Sequence, residues 1–493
     1  MGCMWSAAEF KEEGDDSTAA VASTAAAGLQ TRLLLMDNAD AHVFIPGFRL
    51  PKPATDLTTA LQQQQQPQQQ GINIPSSLVN RLVSLRSRVI LAIAAGGSYS
   101  MEESASVVAA KLSKRRISQQ GSADCSELQK ALGDYLPLLL GLTFTEEKVS
   151  SAVKFEWSNQ EDQKKETALP SALYELLSVL HLLGILALQE ANNCLTAKAT
   201  ADGYLPRVTE ENKKNAVEIL LKAAQFFECA LSSVLPQLPD DIKAKLPVDL
   251  SEDLLIALEQ QALGQGVEIQ LGLAIENVKA SVAVKRKLAC EQVKYWLQAY
   301  DCASRVSLEH GWGPKHKLFV KWKLAEAQAA AYYYHGLILD ENPEDVSHAQ
   351  ALACLQGAQA FLKEGQRTRT KFVNTAPITR VPPSWGAMKY LSEKIPRDTI
   401  KKTRASGGNI TQYKTPIATP QLPDFPLALK AEAFILPPVD RAWEVVSCYQ
   451  PNHALVEKGP TSCMKKLQDV QSLPGFDLRR QPTLTIPKYV HAR

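Results

Sequence analysis

From about residue 170 to 366 the sequence repeats apolar residues at helical spacing with almost no interruption, which restricts the chain to a helical architecture. The periods read as helices at about 170–195, 209–235, 251–275, 276–308, 315–340 and 347–366, separated by short Pro/Gly/Asp turns such as PQLPDD. Helices joined by short loops pack antiparallel, as a bundle or as a solenoid of helix pairs. No strict repeat of about 34 residues is present, so the periodicity does not define a formal repeat array.

Upstream, Ser76 or Ser77 can cap a helix whose apolar positions Leu78, Leu82, Leu85, Val89 and Ile93 recur until Gly96-Gly97 stops it. A second helix spans about 124–142. VKFEW (153–157) alternates apolar and polar residues with aromatic content and predicts the one clear strand. FIPGFRLPKP (44–53) is an extended, Pro/Gly-punctuated segment, and LQQQQQPQQQ (61–70) is a low-complexity surface insertion. From about 400, Pro-rich stretches such as KTPIATPQLPDFP read as an extended strap followed by a loose tail. The expected organisation is therefore a flexible tether (1–41), a helical domain (42–436) and a C-terminal tail (437–493).

Several function classes find no support. A net charge of +2 is not that of a dedicated nucleic-acid binder. There is no GxxxxGK[ST], no HExxH and no GxSxG, and Gly264-Gln265-Gly266 lies within a helical period without a third glycine. No His/Cys cluster has zinc spacing, so no metal and no cofactor is expected. His181 and His335 sit in apolar helical periods and read as core residues. Nine dispersed cysteines, with no CxxC pair, read as free thiols in a reducing compartment. The expectation is a non-enzyme. Leu176 to Leu188 is the best apolar run, but it is short of the about 20 residues a bilayer span needs, and it reads as a buried helix.

Two features carry chemistry. At the N-terminus, MGCMWS places Gly2 and Ser6 as a myristoylation acceptor pattern and Cys3 for palmitoylation. One acyl chain binds a membrane only marginally. A second signal is needed, and Cys3 can supply it where the acidic stretch at 12–16 cannot. Further on, Arg115-Arg116-Ile117-Ser118 makes Ser118 a candidate for a basophilic kinase within a solvated loop.

The second feature is the helix at 276–308. Ile275, Val278, Val282, Ala289, Val293, Trp296 and Tyr300 fall within about 40° of one line at about 100° per residue, which makes that line the expected core face. Val284 and Leu288 lie roughly 200–240° round from it, with Asn277, Ser281 and Tyr295. Apolar residues there meet either another helix of the array or a partner's amphipathic helix in an exposed groove. The adjacent Lys285, Arg286 and Lys287 suit an acidic peptide or a membrane surface.

The segment AEAQAAAYYYHGLILDENPEDVSHAQALACLQGAQAFLKEG (325–365) resembles the closing helix pair of Bro domains, the boomerang-shaped modules of ALIX and related endosomal proteins. VKFEW with its acidic turn resembles the family's early strand, and QALGQGVEIQ followed by VKRKLACEQVKYW resembles its central helices. MGCMWS, IPGFRLPKP and YLSEKIP resemble the plant-type branch, endosomal-targeting proteins that consist of this domain alone. The resemblance covers about residues 42–436 and lacks the coiled-coil and long Pro-rich domains of the large members.

It implies a mainly all-α, tetratricopeptide-like helical solenoid with a small β-sheet near the N-terminus. It also implies binding of the C-terminal helix of an ESCRT-III filament subunit through three apolar side chains on the concave side. Ungapped matching from VKRKL places two of these at Val284 and Leu288 and the third at Leu271. The reading that follows is a cytoplasmic adaptor in endosomal and multivesicular-body sorting, peripheral on an endosomal or plasma membrane through its acyl chains. A regulatory helical scaffold for kinases or membrane transporters is the other reading.

Overall fold

The computed structural model describes residues 42–53, 74–96, 121–160, 165–196, 208–342, 344–377, 386–405 and 419–446. Nine longer helices carry the described fold: α1 Ser76–Gly96, α2 Gly121–Thr143, α3 Ala172–Leu195, α4 Glu210–Cys229, α5 Glu252–Glu276, α6 Val282–Arg305, α7 Gly313–Asp340, α8 Asp345–Asn374 and α9 Gly386–Ala405. From α3 to α8 each helix packs against the next in sequence, which is the signature of a solenoid. Side-chain caps start several of them. Ser171, Thr209, Ser251 and Ser281 each accept a hydrogen bond from the backbone N–H three residues on.

The expected strand is half of a hairpin. β1 (Phe155–Ser158) pairs antiparallel with β2 (Glu166–Leu169) in the register Phe155↔Leu169 to Ser158↔Glu166. β2 reads ETAL, too short and too mixed to show a period of two. On its other side β1 meets the lead-in segment, where Lys52 donates to the Glu156 carbonyl and Ser158 to that of Leu50, both at 2.9 Å.

Two apolar clusters make up most of the interior. One gathers α1 to α5 and the hairpin; the other gathers α5 to α9 around Trp296, Phe319, Trp322 and Phe372. The lead-in segment joins them. Val43 and Ile45 belong to the first cluster, while Phe44 turns the opposite way and stacks on Phe319 at 4.9 Å between ring centres. That is the alternation of an extended chain, and its backbone groups need partners in the interior. Asn192 accepts from Val43 N–H at 2.9 Å, Gln261 donates to the Phe44 carbonyl at 2.8 Å, and Gln160 donates to that of Gly47 at 2.8 Å. Gly47 has φ +108°, and Trp312 lies where its side chain would be, 2.7 Å from the position of a Cβ.

A buried carboxylate ties the first cluster together. Glu175 on α3 accepts from Arg86 on α1 (2.9 Å), Tyr135 on α2 (3.2 Å) and Trp157 on β1 (2.5 Å). A charge taken from water is tolerated only when so satisfied. The two apolar helices Ala172–Leu195 and Glu210–Gln237 do reach the length and mean hydropathy of a bilayer span, contrary to the expectation that no stretch does. The first is almost wholly enclosed within the protein, as expected of a core helix.

Other boundaries are corrected. The helix expected at 276–308 does not begin until Val282, because the chain turns at 277–281, and Val278, expected in the core, stands 97% exposed on that turn. α8 runs to Asn374, and α9 was not expected: Pro396 and the proline-rich approach to it mask an amphipathic period whose buried side is Ala387, Met388, Leu391, Ile395 and Thr399. The tail does not begin at 437. Residues 437–446 pack on α1 and α2: Trp443 is 1% exposed, donates its indole N–H to the Leu138 carbonyl at 3.0 Å and lies against Gly141, while Asp440 pairs with Arg81 at 2.9 Å. The expected tether and the glutamine tract lie outside the described residues.

His181 and His316 are wholly buried, and burial pushes their imidazoles down to about 3 and about 4. Both are neutral in the folded protein, whereas in the unfolded chain they take up protons near pH 6.5. Their contribution to stability is therefore complete above about pH 6.5 and is lost as pH falls toward 4, by about 1.4 kcal/mol per pH unit for each. Urea titrations at pH 7.5 and 5.0 on wild type and on a His181→Phe, His316→Gln variant should show the smaller pH dependence in the variant. Trp443→Ala should cost about 3–5 kcal/mol by chemical denaturation, as removal of a core aromatic does, and no loss would return 437–446 to a loose tail.

Candidate functional site

The candidate site is built on α6, whose two faces meet different surroundings. Ala289, Val293, Trp296 and Ala299 are buried against α5 and α7, as the helical period requires. Gly264 on α5 makes room for this packing, since a Cβ there would stand 2.9 Å from the Trp296 indole. The opposite face divides along its length.

Its middle, around Glu291 to Tyr295, is covered by the strap, residues 419–440, which runs extended across the array. Glu291 accepts from both Ala428 and Leu429 N–H at 2.7 Å each, and it is itself wholly buried. Tyr295, expected on the open face, is 3% exposed because its hydroxyl donates to the Leu429 carbonyl. Lys294 donates to the Phe425 carbonyl and pairs with Asp424, and the Arg286 guanidinium lies 5.4 Å from the centre of the Phe425 ring. Leu429 presses on Gly266, where a Cβ would come within 2.8 Å of it. Both glycines of Gly264-Gln265-Gly266 thus serve close packing. Burial pushes the neighbouring Cys290 thiol up to about 12, so it is no nucleophile at neutral pH.

The first two turns remain open. Val284 is 48% exposed, Ala283 and Lys287 are exposed, and Leu288 is half-buried where it touches both apolar clusters. Val284 and Leu288 therefore share one accessible face, one turn apart, bordered by basic side chains. Leu271 does not join them. It is 0% exposed, because α5 turns it into the second cluster, and it has no surface to offer a partner in this conformation. Leu273 and Ile275, near the end of α5, keep part of their surface. Sequence reasoning also missed Glu291, whose period resembled that of any surface glutamate. Gly2, Cys3 and Ser118 lie outside the described residues.

Among the described residues no group of three His, Cys, Asp or Glu side chains comes together as a metal site. A groove of about 360 Å³ lies between α2, α3, α4 and the strap, its lining including Leu136, Leu183, Phe226, Phe434 and Ile435, with no acid–base pair in it.

Residues 84–405 match the BRO1-like domain family, well over half of the chain. The chain belongs to the BRO1-like domain family. Among solved structures, an ALIX BRO1–CHMP4C complex is 18% identical, with a TM-score of 0.50, over 85% of this chain and 99% of its own. A Bro1 domain described as a structure basis for endosomal targeting is 15% identical over 82% and 94%, with a TM-score of 0.49. ALIX in complex with the SIVmac239 PYKEVTEDL late domain is 17% identical with a TM-score of 0.49, and the match covers 87% of this chain and about half (53%) of that one. No curated protein matches. The fold is that of a Bro1 domain, a helical boomerang with a two-stranded sheet.

Two substitutions separate the faces of this Bro1 domain. Leu271→Asp buries an unpaired carboxylate and should unfold the protein, while Val284→Asp should leave the melting temperature close to that of wild type. Glu291→Ala strips two strap amides of their acceptor, at about 1–3 kcal/mol each, and should speed hydrogen exchange at Ala428 and Leu429 by about tenfold or more.

Proposed function

We propose that this Bro1 domain is a non-enzymatic adaptor of endosomal sorting that binds the C-terminal amphipathic helix of an ESCRT-III filament subunit on the open first two turns of α6. The reading is carried by the exposed pair Val284 and Leu288, one turn apart beside Lys285 and Lys287, in a chain with the fold of the ALIX BRO1 domain solved with CHMP4C. Residues at i and i+4 present one stripe, the spacing at which an amphipathic helix is held. The third apolar contact passes from Leu271 to Leu273 or Ile275. The basic border favours a helix with acidic residues flanking its apolar stripe, mainly through the association rate.

In this reading the protein is peripheral on an endosomal or plasma membrane, with Gly2 myristoylated and Cys3 palmitoylated. Gly2→Ala should move the protein to the soluble fraction, and Cys3→Ser should leave weak, reversible binding, because one chain alone gives marginal affinity. Full fractionation of Gly2→Ala with membranes would remove the acyl anchor from this account.

The groove is tested by fluorescence anisotropy with a labelled ESCRT-III C-terminal helix. Val284→Asp should weaken binding by about 2–4 kcal/mol, on the order of 30- to 1,000-fold, at unchanged thermal stability. Leu288→Asp should weaken it as well but lower the melting temperature, since Leu288 also packs against both clusters. Normal binding by a stable Val284→Asp variant would take this face out of consideration.

A further inference from the structure

α9 lies on the array by its Ala387, Met388, Leu391, Ile395 and Thr399 side and turns the rest of its circumference outward. Among the side chains exposed there are Lys389, Lys394, Arg397, Ile400, Lys401 and Arg404, with Glu393 the one exposed acid. The helix holds six basic and only two acidic residues, in a chain whose net charge is +2. Its other acid, Asp398, is engaged by Tyr333 and Arg397. Among the described residues no carboxylate pairs with Lys389, Lys394, Lys401 or Arg404.

The face continues onto a second element. The first turn of α9 abuts the last turn of α5: Gly386 lies 3.3 Å from where a Cβ on Gly272 would stand, and Tyr390 donates to Glu276 at 3.2 Å. Glu276 also pairs with Lys213 at 2.7 Å, so its charge is taken up locally. Two residues on, the turn to α6 holds out Val278, 97% exposed, next to the exposed Lys279. Asn277 fixes this turn by accepting from Lys279 N–H at 2.9 Å. α9 is about 30 Å long, and Ile400, 48% exposed, lies about 20 Å along it from the end that abuts α5.

We propose that the outer face of α9 and the α5–α6 turn dock this domain on an anionic lipid bilayer, with the lysines and arginines on lipid headgroups and Val278 and Ile400 entering the interface. Charge complementarity selects an anionic partner. The form of the surface selects a bilayer over a peptide, because a convex helix flank with two separated apolar tips offers no concavity for a partner helix and matches a broad charged plane. Basic residues at such a surface each add affinity that salt weakens. The surface lies apart from Val284 and Leu288; it is weaker than the paired acyl chains, so it shows on strongly anionic vesicles and does not by itself hold a Gly2→Ala variant in the membrane fraction of a cell.

The test uses the full chain made in a host without N-myristoyltransferase and sedimented with vesicles. Binding is expected to vesicles containing about one-third phosphatidylserine at about 0.1 M salt, and not to pure phosphatidylcholine vesicles. Lys394→Ala and Lys401→Ala should each lower the partition constant about fivefold. A Val278→Trp variant should blue-shift its emission on anionic vesicles only. All three should bind the ESCRT-III helix as wild type does, so that failure here and failure of the α6 site are read separately. Absence of binding to anionic vesicles, or binding unchanged in the lysine variants, overturns the proposal. Retention on RNA without vesicle binding also overturns it, and gives the face to a soluble polyanion.

Discussion

Nine residues of extended chain, 42–50, run through the middle of a helical protein, and much of the rest is arranged around them. Burying that backbone exposes amide and carbonyl groups to a medium without water, and each must find a partner. Helices cannot supply backbone partners, because their own are used internally. Side chains do so instead: Asn192 from α3, Gln261 and Gln265 from α5, and Gln160 between the strands of the hairpin. In return the segment places Val43 and Ile45 in one apolar cluster and Phe44 in the other, which fixes how the two halves of the solenoid meet. Arg49 extends the same logic, reaching Tyr174 at 2.9 Å and Asp249 at 3.5 Å from within the core.

The strap repeats this device at the other end of the domain. It crosses from α8, where Thr419 meets Gly357, over Glu291 and Tyr295 of α6 and Gly266 of α5, past Phe226 of α4, to the Trp443 anchor on α2. A solenoid whose helices touch mainly their neighbours resists bending weakly, and an extended tie fastened to five of them opposes that. The fastening is again side chain to backbone. Apolar contacts add to it: Leu422 and Phe425 pack on the second cluster, and Leu427, Leu429, Phe434 and Leu436 on the first.

What α6 offers a partner follows from where the strap crosses. Glu291 and Tyr295 take the strap, so the middle of that face is closed. Val284 lies two turns before Glu291, where the strap's hold consists of the Phe425 ring against Arg286, and it stays accessible. The same helix therefore serves as core, clasp and open face, by angle on one side and by position along its axis on the other.

Much of this was legible in the sequence. Helical periods located α3 to α8, the Pro/Gly punctuation gave the extended lead-in and strap, and the wheel of α6 set Val284 and Leu288 apart from its core side. These depend on local spacing, which a sequence displays directly. Only the tertiary structure decided the rest, because it depends on what lies opposite. Leu271 is buried in the second cluster, since a match without gaps cannot see which way α5 turns its last residues. Val278 is exposed because five residues of turn break a period that looked continuous. α9 forms despite Pro396 because its apolar side finds α5, α7 and α8 to cover it. Tyr295 and Glu291 are buried because a segment more than 130 residues later returns to cover them, and no periodicity along α6 records that arrival.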